Sequence, residues 1–205
     1  FGFPDVWQSV SYVSSFLLFL PGLLMVILIT NEYNFRTHRQ NVIDGQRRID
    51  FALTKILFAI LMGVIATVLV FLITILTGLM SGSSFSMAGS EYLLYFFLQA
   101  ITYTMSGLLL GFLLKRSGVS IAIYLIYVGF IKNLIAFLAD RYLGGIGAYT
   151  PVKSADNLIP LPFFKRVTSQ LLSEPPSVTW LCIMTLIYLG AFYFVITRRY
   201  KTQDL

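Results

Sequence analysis

Few side chains here are able to do chemistry, and their placement excludes more than it offers. His38 is the only histidine, so a His-rich metal site is excluded and no Ser/His/Asp relay has a histidine within an apolar run. It stands in a polar, charged segment and reads as a solvated side chain rather than a catalytic one. Cys182 is the only cysteine; no intrachain disulfide is possible, and in its apolar run it reads as a small packing residue. No GxxxxGKS/T phosphate loop occurs, so the chain lacks that device for holding ATP. No Asp or Glu falls inside an apolar run away from its ends, which leaves no carboxylate pair and disfavours a proton or sodium relay. Lys132 is the exception. It stands roughly two turns from the end of its run, where snorkelling to the interface is the preferred reading and a substrate contact the alternative.

The elements that must position these groups are set by run length. Of 205 residues, 57% are hydrophobic and only 12% charged, against about 25% charged in soluble domains. A bilayer core about 30 Å thick takes roughly 20 apolar residues in helix to cross, because unpaired backbone groups are too costly in lipid. Five stretches qualify: Trp7 to Thr30, Ala52 to Thr77, Tyr92 to Leu114, Gly118 to Leu138 and Val178 to Thr197. The alternation of a membrane barrel is absent. The expectation is an all-α, polytopic integral membrane protein forming one transmembrane domain over residues 1–205.

Threading the five spans divides the charges unequally. One set of connections holds Arg36, Arg39, Arg47, Arg48, Lys55, Lys115, Arg116, Arg198, Arg199 and Lys201 against four acidic residues, whereas the other set balances five against five. The whole net charge of +6 thus falls on one face, which the positive-inside rule identifies as cytoplasmic, with the carboxyl terminus inside. Basic residues interleaved with stacking aromatics are not found, which sets nucleic acid aside. An odd number of spans, an external start and an opening Phe1 lead to the expectation that the natural amino terminus, with one further helix, precedes this sequence.

Along the chain, Pro21-Gly22 predicts a kink within the first span, read as a packing bend before a gating hinge. Residues 31–51 are too polar for lipid, yet Tyr33, Phe35, Val42 and Ile43 are spaced for a short amphipathic helix on the membrane surface, ending near Gly45. Such a helix serves equally as an interfacial anchor or as a docking element for a partner protein. Ser81 to Ser90 reads as a flexible loop, and Lys115 to Gly118 as a tight turn. The external connection 139–177 is rich in Gly and Pro but carries apolar pieces, Leu158 to Phe164 and Val167 to Leu172. These predict short helices dipping into or lying on the outer leaflet, able to cover a pathway. Gly107 and Gly111 form a GxxxG step suited to internal packing or to a dimer contact. Trp7, Tyr92, Tyr95, Trp180, Tyr193 and Tyr200 read as an aromatic belt.

The stretch from Glu32 to Phe51, with Lys55 beyond it, resembles the first cytoplasmic loop of ABC-2-type transporter permeases. In that family an acidic residue follows the second membrane helix. An amphipathic segment containing Arg and Thr comes next, and a Gly, Arg, aromatic, Lys order leads into the third helix. Glu32, Thr37, Gly45, Arg47 or Arg48, Phe51 and Lys55 occupy those places. The basic-then-acidic carboxyl end and the long connection before the last span are also similar to that family. The layout matches over the whole chain, and the residue-level match rests on this one loop.

The resemblance implies a permease of six helices, of which these would be the second to the sixth, with re-entrant helices before the last. It implies a coupling helix seated in a cleft of a separate ABC ATPase subunit that holds ATP and Mg, a second permease copy, and no cofactor bound by this chain. Arg36, Arg39, Arg47 and Arg48 would orient the joint through charge-assisted bonds. The function implied is ATP-driven export of a hydrophobic, lipid-like or peptide substrate across a bacterial inner membrane. The alternatives are a non-transporting scaffold or assembly subunit and a membrane-embedded enzyme that modifies lipid, for which the spans offer no cluster of catalytic side chains.

Overall fold

The computed structural model describes residues 2–35, 48–162 and 176–202. All regular structure among them is helical, as the run lengths require. Helix α1 (Asp5–Ser15) and α2 (Phe19–Asn34) are followed by α3 (Arg48–Met80), α4 (Glu91–Leu114) and α5 (Ser117–Ile126). A π-helical turn, Tyr127–Ile131, joins α5 to α6 (Lys132–Tyr142). A 3-10 turn at Gly147–Tyr149 and the one-turn helix α7 (Lys153–Asp156) lead towards α8 (Val178–Thr202).

Four helical stretches are long and apolar enough to cross a membrane, and a fifth results if the bent pair α1–α2 counts as one span. Their apolar side chains stay largely uncovered. The central window of α4 is 61% buried, against 22% for α3, 11% for α5–α6 and 17% for α8. Helix α4 is therefore the axis of the bundle, and the others turn residues such as Leu57, Leu69, Phe130, Phe137, Leu186 and Phe194 outward. A surface of that kind is stable only against an apolar solvent. The chain is a multi-pass membrane protein. Helix α3 has 33 residues and so is about 50 Å long, longer than the hydrocarbon core; its first turns, with Asp50 and Lys55, continue the basic end of the bundle.

The bend in the first span is displaced from the expected position. The chain breaks at residues 16–18, and α1 and α2 meet at 40°. Pro21 lies in the first turn of α2, where a missing N–H costs nothing. Four residues earlier, the Leu17 carbonyl cannot take the helical bond from Pro21. That carbonyl instead accepts from Leu20 N at 3.0 Å, within a run of i to i−3 bonds that begins at Phe16.

Glycines set how closely α2 approaches α4. A Cβ on Gly107 would overlap the Gly22 backbone, and one on Gly111 would meet Ile29 and Val26. The GxxxG step is thus taken up inside the chain, against α2. One core cluster gathers Met25, Ile29, Phe51, Ile56, Leu108 and Phe112 towards the basic end. A second gathers Leu18, Val70, Phe96, Tyr103, Leu158 and Leu181 towards the other. Hydroxyls inside the spans bond back along their own helix, as Thr30 to the Val26 carbonyl, Thr74 to Val70 and Thr185 to Leu181, at 2.7–2.8 Å, which hides their polarity from lipid.

Two further expectations are corrected. Trp7 is fully buried rather than part of an interfacial belt: its Nε1 donates to the Ser86 carbonyl at 2.9 Å and its ring stacks on Phe71. Trp180 and Tyr193 remain exposed as expected. The loop at Ser81 to Ser90 is tied down, because Phe3 N donates to Ser83 Oγ at 3.1 Å and Phe3 packs edge-on against Phe85. Its Gly and Ser content allows close approach of the chain start rather than free motion.

Candidate functional site

Besides the glycines and Pro21 between α2 and α4, the expected site residues fall into two groups, one at the basic end of the bundle and one around Lys132 within a span. At the basic end, Glu32 near the end of α2 and Lys55 in the second turn of α3 form an ion pair. The Lys55 ammonium also lies 5.1 Å from the centroid of the buried Phe51 ring, one turn earlier. Lys115 caps α4 in the left-handed region (φ 57°) and places its ammonium 5.5 Å from the Tyr33 ring, which packs on Phe112. Asn34 Nδ2 donates to Ser117 Oγ at 3.1 Å. The ends of α2, α3, α4 and α5 are thereby linked through cations, aromatic faces and one ion pair. Arg36, Thr37, Arg39, Gly45 and Arg47 lie outside the described residues, as does His38; Arg48 opens α3.

Lys132 departs from expectation. It neither snorkels nor stands alone, but donates from Nζ to Asp156 Oδ2 at 2.6 Å and to the Tyr103 hydroxyl at 2.5 Å. Its ammonium is 5.0 Å from the Tyr103 ring centroid. Asp156 Oδ1 accepts from the Tyr103 hydroxyl at 2.9 Å and from Gln99 Nε2 at 3.0 Å. The side chains of the pair are 11% and 17% exposed. Cation and carboxylate each have several partners, which a desolvated ion pair requires.

Each member is carried in by a separate device. Gln99 and Tyr103 are one turn apart on the same face of α4. Lys132 follows the π turn, whose extra residue rotates the helix register and leaves the Gly129 carbonyl to accept from Asn133 Nδ2 at 3.4 Å. Asp156 ends α7, and the connection carrying it enters the bundle: Val152, Ala155, Leu158 and Ile159 are buried, and Ser154 Oγ meets Thr185 Oγ1 at 3.2 Å. The short helices expected at Leu158 to Phe164 and Val167 to Leu172 are not those found: the helical turns of this connection fall earlier, at Gly147–Tyr149 and Lys153–Asp156, while Leu158 and Ile159 are buried in turn and bend, and residues 163–175 lie outside the described residues. Val152, just before α7, is held at φ 64°, a strained conformation for a β-branched residue.

Counting from Glu91, Gln99 and Tyr103 lie about 12 and 18 Å along α4 at the α-helical rise. An acidic side chain therefore does reach membrane depth, contrary to the reading of the apolar runs alone. Intramembrane ion pairs are costly and mark function by default. Asp156 escaped sequence reasoning because its depth is a property of a loop; Gln99 at mid-run, one turn before Tyr103, was the available signal.

The cluster lines a cavity of about 1020 Å³. Its apolar wall includes Tyr12, Phe16 and Phe19 from the α1–α2 break, Leu125 and Val128 from the α5–α6 span, and Ile159 and Leu161 from the connection. Lys153, Asn133 and Asn157 add polar groups beside the ion pair. Gln99 Oε1 is buried with no hydrogen-bond partner among the described residues, and its amide is oriented by the carboxylate, which can only accept. No group of three or more His, Cys, Asp or Glu able to hold a metal ion occurs among the described residues. The arrangement places a cation, a carboxylate and a hydroxyl on one wall of the cavity, groups able to hold and orient a ligand. Comparison with protein-family models, curated proteins and solved structures gives no match.

Proposed function

We propose that this chain is the transmembrane subunit of an ATP-driven transporter similar to the ABC-2 type. It sits in a cell membrane, couples at its basic end to a separate ATPase and moves a hydrophobic, lipid-like or peptide substrate. The observation that carries the reading is the Glu32–Lys55 ion pair. It ties the end of α2 to the start of α3, the two helices that residues 36–47 connect in sequence. A polar segment held that way is a handle on two spans at once.

The bundle offers a route from that handle to the cavity. Helix α2 runs unbroken for 16 residues, about 24 Å, from Asn34 at the basic end to Phe19 in the cavity wall. It rests on α4 through Gly22, Gly107 and Gly111, a smooth surface over which a rigid helix can shift. A push on residues 36–47 would move α2 as a lever and displace Phe16 and Phe19 relative to Lys132 and Asp156. Substrate would then be exchanged at the cavity while ATP is hydrolysed in the partner.

The test is ATP-dependent movement of a fluorescent lipid analogue in proteoliposomes holding this chain and its co-purified ATPase. Movement that needs ATP and is lost on Lys55→Ala supports the reading. No movement with a competent ATPase present sinks it in favour of a scaffold, and movement that is indifferent to ATP sinks the ATP-driven mechanism.

A further inference from the structure

We infer that the cavity beside Lys132 and Asp156 binds an amphiphile with an anionic head, and that Lys153 is the residue that selects the charge. As the cargo of the transporter proposed above, this ligand class rests on that reading; as a binding site it stands on the cavity.

Three cation and anion positions line the cavity: Lys132, Lys153 and Asp156. The first and last neutralise each other at 2.6 Å. Lys153 has no carboxylate partner among the described residues and makes a single hydrogen bond, to Asn133 Oδ1 at 3.2 Å. Among the described lining residues, Lys153 is thus the one positive charge without a carboxylate partner. It stands on α7 one turn before Asp156, so the ion pair that anchors α7 also fixes where the Lys153 stem begins. Its ammonium, in an exposed hydrogen bond with donors to spare and next to two carboxamides, is complementary to a phosphate or carboxylate.

The rest of the wall gives the other half of the ligand. Phe16, Phe19, Leu125, Val128 and Leu161 supply an apolar surface continuous with the head-group side. Phe16 and Leu125 are exposed as well as lining the cavity, so a hydrocarbon chain can lie along them. An anion without a hydrocarbon tail would leave that wall wet, and an uncharged amphiphile would leave Lys153 unanswered.

The experiment uses the full chain alone in phosphatidylcholine nanodiscs, read by native mass spectrometry and by equilibrium titration. Lysophosphatidylglycerol, lysophosphatidylcholine and glycerol 3-phosphate serve as probes. The expected result is one saturable site that takes lysophosphatidylglycerol about tenfold more tightly than lysophosphatidylcholine, roughly the worth of one charge-assisted bond. Glycerol 3-phosphate should bind far more weakly than either. Lys153→Gln should abolish the preference while leaving lysophosphatidylcholine binding in place, and Lys153→Arg should keep it, which separates charge from folding.

Equal binding of the two lysolipids, or a preference that survives Lys153→Gln, overturns the inference. Glycerol 3-phosphate binding as tightly as the lysolipid overturns the amphiphile and leaves a site for a free anion. Because no ATPase is present, head-group selection without any nucleotide-dependent transport would defeat the proposed function alone. Transport without head-group selection would defeat this site alone.

Discussion

Asp156 closes on Lys132 across 24 residues of chain, with 2.6 Å between Oδ2 and Nζ. That contact joins the connection before the last helix to the middle of a membrane span. Helix α7 has four residues, too few to be stable alone, so its position depends on this anchor and on the burial of Val152 and Ala155.

Removing one partner of the pair should leave the other charged in a nearly closed site. Asp156→Asn or Lys132→Met is expected to lower stability by about 3 kcal/mol. The double variant should recover much of that loss, giving a coupling energy on the order of 1–3 kcal/mol in a double-mutant cycle. Denaturant unfolding in mixed micelles checks it. Additive single and double variants would mean that the pair does not anchor α7.

Glycine positions provide a second contrast. Gly107→Ala should destabilise by about 2 kcal/mol, since the added methyl meets the Gly22 backbone and not a side chain that can swing away. At Gly190, in α8, a Cβ would have nothing within 4 Å, and Gly190→Ala should gain about 0.5–1 kcal/mol from helix propensity. The same unfolding assay reads both.

Pro21 should determine the bend between α1 and α2. In Pro21→Ala a restored N–H can bond the Leu17 carbonyl and straighten the 40° break. Spin labels at the exposed positions Val13 and Leu28 should then move apart. An unchanged distance would mean that packing of Leu18 in the core, rather than the proline, sets the angle.

At the basic end, Glu32→Lys and Lys55→Glu should each change stability by less than about 1 kcal/mol, the usual worth of a partly exposed pair; these side chains are 24% and 20% exposed. Each should nevertheless weaken ATPase coupling severalfold. The double swap restores the pair and should restore coupling. Loss that persists in the swap would assign the effect to one residue's contact with a partner instead.

The spans were legible because lipid demands long apolar runs, and α3, α4, α5–α6 and α8 follow those runs to within a few residues except where α3 extends past the bilayer. Positions governed by tertiary contact were not. The bend moved from Pro21-Gly22 to residues 16–18, since a proline disturbs the carbonyl four residues before it. Trp7 is buried and bonds the Ser86 carbonyl of the Ser81 to Ser90 loop, which hydropathy cannot indicate. Lys132 was found from its isolation in an apolar run, but its partner came from a polar loop whose depth no run length encodes.

The most direct test of the central claim is purification of the chain in mild detergent from its native host, with mass spectrometry of what accompanies it and an assay of ATP hydrolysis. The account predicts a nucleotide-binding subunit in stoichiometric amount and an ATPase activity that falls on Glu32→Lys. A chain that purifies alone, with no nucleotide dependence, would contradict it.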